Sequence, residues 1–282
     1  LWQPILQGPI LTFRPKKSAA AYKKVWMEEG SPLLVYTKRQ AEKLAARIGS
    51  EQLIVDFAMN YGNPSIASKI EKLKDLGCEK IAVVALYPQY SATTTASVYD
   101  RTFDELKKLR WQPAVRTAAP FFEMPAYVEA LATSIETHIA GLDFAPDKVL
   151  MSYHGLPKSY LDKGDPYHCH CYKTTRLVAE KLGWDSDYVM TTFQSRFGPM
   201  EWLQPYTDKT LEALPGQGVK KLAVVSPAFI SDCLETLEEI AMEGRDSFME
   251  AGGTDFSIVP CLNDSEAGID VIQAVVAREL AG

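Results

Sequence analysis

Two groups of residues have the types and spacing to do chemistry. The first is a single histidine, His154, which follows the apolar run Val149-Leu150-Met151 and precedes Gly155-Leu156-Pro157. The run reads as a strand buried on both faces, and glycine and proline so close behind cannot extend it. His154 is therefore expected at a strand's carboxyl end, the edge where the loops of an open α/β sheet form a ligand crevice. With an unperturbed pKa of about 6.5, an imidazole there takes up or passes on a proton near neutral pH. The alternative is a core histidine satisfied by one hydrogen bond.

The second group lies in SPAFISDCLETLEEIAMEGR, residues 226–245. A buried strand ends at Ser226-Pro227, and Ser231 or Asp232 caps the helix that follows. Glu235, Glu239 and Glu243 recur every four residues and share one face of that helix. A solvated face is the usual meaning of such a run. Here no lysine lies between Lys221 and Arg245, so the acids have no cation nearby in sequence. A column of carboxylates that starts near a cleft attracts hydrated divalent metal ions and accepts protons.

Alternating strands and helices must position these groups. Expected elements in the first half are a helix over 18–27, a strand over 33–37, a helix over 40–48, a strand over 53–58, a helix over 65–76, a strand over 81–86 and a helix over 93–109. A long helix over 125–139 precedes a boundary loop. The second half repeats the scheme, with strands over 149–153, 188–192, 222–226 and 257–259 and helices over 173–182, 205–214, 233–250 and after Asp264. Lys80-Ile81-Ala82-Val83-Val84 and Lys221-Leu222-Ala223-Val224-Val225 lie half the chain apart, each followed by a proline, an aromatic, a serine and a long helix. The pattern predicts an α/β protein of two similar Rossmann-like domains, each a parallel sheet flanked by helices, with a cleft between their carboxyl edges. The expected division is 1–140, 141–262, and a C-terminal helix, 263–282, packing back on the first domain.

The 282 residues, 46% hydrophobic, suffice for such cores, and a net charge of −6 with interspersed signs gives no footing for nucleic acid. Five cysteines and no signal-peptide pattern point to a reducing, cytoplasmic setting without disulfides. No apolar run approaches the roughly 20 residues of a spanning helix. Leu1 to Leu11, apolar but broken by Pro4, Gly8 and Pro9, reads either as a poorly ordered terminus or segment packed on the core, or as an apolar lip on a pocket or for peripheral membrane contact.

Several motifs resemble ferrochelatases, enzymes that insert ferrous iron into a porphyrin. They are Ser152-Tyr153-His154-Gly155-Leu156-Pro157, Gly164-Asp165-Pro166-Tyr167, Phe193-Gln194-Ser195-Arg196-Phe197-Gly198-Pro199, Trp202-Leu203 and Ser231-Asp232-Cys233-Leu234-Glu235-Thr236-Leu237, with Tyr87-Pro88-Gln89-Tyr90-Ser91 and Gly30-Ser31-Pro32-Leu33 in the first half. The resemblance implies conversion of protoporphyrin to protoheme in the interdomain cleft, the terminal step of heme biosynthesis. It implies His154 as proton acceptor or metal-delivering residue, with Glu235 as its partner. Glu239 and Glu243 would continue a metal track on a helix with a π-type distortion. Porphyrin contacts are expected from Tyr61, Tyr90, Ser195 and Trp202, with Phe197 and the lip as further walls. Ferrous iron enters as substrate, and no cofactor is required.

The chain departs from the family pattern in three ways. It lacks the earlier strand and Leu-Gly-Thr-Pro loop with which relatives usually begin, which puts its stability and activity in question. Asn60 stands where many relatives carry arginine, so a salt bridge to a porphyrin propionate is not expected there. The animal-type [2Fe–2S] cluster is not expected, because Ala92 replaces its first cysteine and the C-terminal extension is absent; Cys169, Cys171, Cys233 and Cys261 could form another cluster only if the fold gathered them. Competing readings are a cobalt or nickel chelatase acting on a related tetrapyrrole and a noncatalytic porphyrin- or metal-binding module. Protoporphyrin and its tetracarboxylate precursor coproporphyrin are both compatible substrates.

Overall fold

Residues 19–281 are described by a computed structural model, and the expected lip at Leu1 to Leu11 lies outside them. Among the described residues, two wholly parallel sheets are flanked by helices. Lys80–Val83 (β1) pairs with Ala114–Thr117 (β2). The second sheet joins Lys148–His154 (β3), Val189–Gln194 (β4), Lys221–Val225 (β5) and Asp255–Ile258 (β6) in the order β4-β3-β5-β6.

β3 is central and buried from Val149 to Tyr153 because helices cover both faces. Val149, Met151 and Tyr153 pack against Tyr127, Leu131 and Ile135 of the helix Pro125–Ala140, and against Cys171 and Val178 of the helix Tyr167–Leu182. On the other face Leu150, Leu222 and Val224 meet Leu211, Ile240 and Phe248. Each such side chain contributes about 1.5–3 kcal/mol on leaving water, so the strand carrying His154 is held rigidly.

The strand order reverses direction between β3 and β5. That is a topological switch point, where the connections leave to opposite sides and a crevice opens beyond the carboxyl ends. His154 ends β3 there, and the segment leaving β5 leads to Glu235.

Several expected elements differ. Leu33 to Thr37 is the start of one helix, Pro32–Ile48, because Ser31 caps it by accepting the Leu34 N–H and Pro32 occupies its first turn. The span 53–58 forms no ladder and touches only isolated bridges, Ser50 with Leu53 and Met59 with Ser65. β2 was not expected, since its four residues carry little apolar signal. The helix expected at Lys173 starts at Tyr167. The helix expected over 233–250 does carry the π-type distortion that the resemblance implies, as a π-helix, Glu235–Gly244, continued by the α-helix Arg245–Glu250.

The C-terminal helix Glu266–Leu280 packs Ile269 and Ile272 against Leu44 of Pro32–Ile48. Arg47 pairs with Asp270, and Arg278 donates to the Ala119 carbonyl. No helix among the described residues is long and apolar enough to cross a membrane.

Candidate active site

A cleft of about 1890 Å³ runs past the switch point, lined by His154, Glu235, Tyr61, Tyr87, Trp202 and Phe197 among others, and continues along residues 51–61 and 76–87. A second cavity of about 220 Å³ is lined by Ala21, Ser195, Leu234, Glu235, Glu238, Glu239 and Glu243. Glu235 is common to both.

His154 is half-buried, and its Nδ1 lies 2.7 Å from the Gly155 carbonyl. A carbonyl only accepts, so Nδ1 carries the proton and the neutral ring presents Nε2 as a free base. Gly155 is required by close packing. A Cβ there would lie 2.6 Å from the Gln194 carbonyl and 3.3 Å from the Trp202 ring. Trp202 is itself buried, donates from Nε1 to the Phe197 carbonyl and meets the Phe197 ring at 4.8 Å.

The acids are ordered from solvent inward: Glu243 is exposed, while Glu239 and Glu235 are half-buried. The π-helix widens the turn relative to an α-helix and keeps a four-residue repeat on one face. Its start is anchored by buried Asp232, which accepts from Thr236 Oγ1 (2.9 Å) and Asn263 Nδ2 (2.6 Å).

Glu239 is tightly held. Ser195 donates to it from its backbone N–H at 2.7 Å and from its hydroxyl, and Gln194 Nε2 donates at 3.2 Å. Burial nevertheless pushes the Glu239 carboxyl above its ordinary range, against the pull of those donors and of nearby His154. Ser195 reaches this position with φ at 63°, a left-handed conformation rare outside glycine. It lines the acidic cavity and is absent from the lining of the large cleft, so it faces the glutamates and not the aromatic walls.

Gln194 was not foreseen as a site residue, yet it joins the two groups. Its side chain accepts from Ser152 Oγ on β3 (2.8 Å) and donates to the Glu235 carbonyl (2.9 Å). Its sequence signals were a polar residue closing the buried run Val189–Gln194 and its place in the motif Phe193-Gln194-Ser195. Tyr22 and Tyr87 were also missed. Burial pushes both phenols up, with Glu235 and Cys233 adding to the shift from nearby.

Tyr90 does not line the cleft. Its backbone N–H donates to His170, and Tyr87, Gln89 and Ser91 of the same loop face the cleft instead. Tyr61 lines the mouth, 68% exposed, with the Arg101 guanidinium 4.4 Å above its ring. Asn60 donates to Ser97 Oγ at 3.3 Å and offers no charge, while its Oδ1 is buried without a partner.

All five cysteines are free thiols. Within one helix Cys169 faces solvent and Cys171 faces the core, as adjacent odd positions on a helix must. Among the described residues no three His, Cys, Asp or Glu side chains converge on a metal position.

The ferrochelatase family profile matches residues 1–280. The chain belongs to the ferrochelatase family. It is 56% identical over 285 residues to the ferrochelatase of Mesorhizobium japonicum, covering 100% of this chain and 81% of that one. Against the ferrochelatase of Rhizobium meliloti it is 55% identical over 284 residues, covering 100% and 84%. Among solved structures, SirB from Bacillus subtilis with Fe3+ superposes with a TM-score of 0.63 at 14% identity, over 86% of this chain and 87% of that one. The sirohydrochlorin chelatase SirB from Bacillus subtilis subspecies spizizenii in complex with cobalt gives 0.62 at 12% identity, over 88% of each. At that identity the likeness to SirB is one of fold. The ferrochelatase assignment rests on the profile and on relatives more than half identical.

Proposed function

We propose that this chain inserts ferrous iron into protoporphyrin bound in the large cleft, forming protoheme, with the acidic cavity as the metal's route. The observation that carries the reading is Glu235, the side chain shared by the two cavities, in a cleft that also exposes the free Nε2 of His154. Insertion requires two pyrrole N–H bonds to break, four Fe–N bonds to form, and the iron to shed its waters. His154 Nε2 accepts one pyrrole proton, and the Glu235 carboxylate takes the second as it releases the iron. Glu235 receives iron from Glu239 and Glu243 and releases it to the ring. Oxygen ligands spread along a helix exchange readily, whereas a closed cage would retain the ion. Tyr61, Trp202 and Phe197 supply aromatic walls for a flat apolar ligand.

Asn60 offers no cation for a propionate, which favours the substrate with fewer carboxylates. Tyr61, Phe197 and Met200 line the cleft and are each more than half exposed, an apolar rim suited to peripheral contact with the cytoplasmic face of a membrane.

The test is an anaerobic assay with Fe2+ and protoporphyrin, following loss of free-base fluorescence beside a His154→Ala control. Conversion by the wild type that disappears in the variant, with porphyrin binding retained, is the expected result. Binding without conversion by the wild type would favour a noncatalytic module.

A further inference from the structure

The π-helix contains no lysine or arginine, and the Arg245 that follows it pairs with Asp246, but the fold brings a cation from far away. Lys24 Nζ lies 2.7 Å from Glu238 Oε1, an ion pair between residues 214 positions apart. Lys24 sits on the helical stretch 19–25, and Ala21, one turn earlier on the same face, lines the acidic cavity with Glu235, Glu238, Glu239 and Glu243. Glu238 is 10% exposed and Lys24 53%. The ammonium also lies in the field of Glu243 and Asp246. Among the described residues this is the ion pair formed by the four glutamates of that cavity.

We propose that Lys24 is a specificity-determining residue for the metal half of the reaction: a tethered monovalent cation that offsets the charge of the carboxylate track, so that a divalent ion is drawn in without being retained. The inference rests on the proposed function of the site. Carboxylates lining about 220 Å³ without a counter-charge would attract a divalent ion more strongly and release it more slowly, and slow release opposes transfer to a porphyrin. An ammonium cannot enter the metal's coordination shell, since it has donors and no lone pair. It acts through charge alone, and its half-exposed, flexible stem lets it yield as the metal passes.

The experiment compares wild type, Lys24→Met, Lys24→Arg and the double variant Lys24→Met/Glu238→Gln. Methionine keeps the apolar stem and removes the charge. Binding of Mn2+ to the porphyrin-free protein is read by electron paramagnetic resonance at low ionic strength, and Zn2+ insertion is read at saturating porphyrin. Lys24→Met should bind Mn2+ about tenfold more tightly, as expected for removing one charge a few ångströms from a divalent ion in a partly solvated site. Its KM for Zn2+ should fall similarly and its kcat should drop, with the KM for porphyrin unchanged. Lys24→Arg should stay within about twofold of wild type, and the double variant should return toward it, since charge is the operative variable. Unchanged or weaker Mn2+ binding by folded Lys24→Met overturns the proposal and leaves Lys24 a structural tether. Because Mn2+ is read without porphyrin, this result is independent of whether the wild type inserts iron, which tests the functional reading separately.

Discussion

The backbone N–H of Tyr90 donates to Nδ1 of His170 at 3.2 Å, tying the loop after β1 to a helix of the other half of the chain. The imidazole is stacked on Phe122 with centroids 3.7 Å apart. The same loop is held by Asp165, whose Oδ2 accepts from Ser91 Oγ and the Ala92 N–H, and by Gln89 donating to Thr174 Oγ1. This clasp sets the separation between the wall carrying Tyr87 and the wall carrying His154. His170→Phe preserves the stack and removes the acceptor. The expected outcome is a rise of about threefold to tenfold in porphyrin KM with a smaller change in kcat, from a lost hydrogen bond of about 0.5–1.5 kcal/mol. Steady-state kinetics with each substrate varied in turn checks the split.

Gly155→Ala should be severe. The new Cβ would press on the Gln194 carbonyl and the Trp202 ring, forcing β3 and β4 apart beside His154. Overpacking of this kind costs about 1–3 kcal/mol, and kcat should fall at least tenfold because His154 is the next residue. Urea unfolding together with turnover measures both.

Replacing Ser195 separates its two contributions. Either glycine or alanine removes the hydroxyl donor to Glu239, but only alanine retains the conformational cost of positive φ, about 1 kcal/mol. Ser195→Gly should therefore unfold at a higher urea concentration than Ser195→Ala, while both raise the KM for metal. Equal midpoints would show that the left-handed backbone carries no cost here.

Stability should fall on acidification below neutral pH. Burial holds the imidazoles of His138, His168 and His170 below their usual value of about 6.5. The unfolded chain then binds protons that the folded chain refuses. Their contribution to stability is complete above about pH 6.5 and is lost as the pH falls through the lowered values. His170 is also faced by Glu123 and Asp165, which oppose the shift, and by Lys173, which adds to it. Glu239 has the opposite sign, since its raised value favours the folded state when protonated, and that contribution disappears as the pH rises through the raised value. Tm should fall between pH 7.5 and 5.5, and His170→Phe should flatten the slope. A slope unchanged by that variant would remove His170 from the account.

Glu239→Gln keeps the side chain's size but removes the charge and turns one of its two acceptor oxygens into an NH2 donor facing the donors of Ser195 or Gln194. Metal delivery should slow by about tenfold while porphyrin affinity is unaffected, a milder loss than for His154→Ala. Insertion rates at varied Zn2+ concentration distinguish the two.

The sequence by itself determined the local features. The buried run ending at Gly155 placed His154 at a strand end, and the four-residue repeat aligned Glu235, Glu239 and Glu243 on one helix face. It also contained the Ser31-Pro32 cap that makes Pro32–Ile48 helical from its first residue, a signal outweighed in our reading by the β-prone side chains of Leu33 to Thr37. Periodicity, caps and breakers act within a few residues, which is why these features are legible. Tertiary structure alone decided which side chains meet. It turned Tyr87 into the cleft and Tyr90 onto His170, made Gln194 the link between β3 and the π-helix, and placed Glu235 in both cavities. It also brought Lys24 to Glu238, supplying a cation to a π-helix that contains none of its own. Such pairings depend on strand order and on which helix face is buried, and both are set by contacts between residues far apart in the chain.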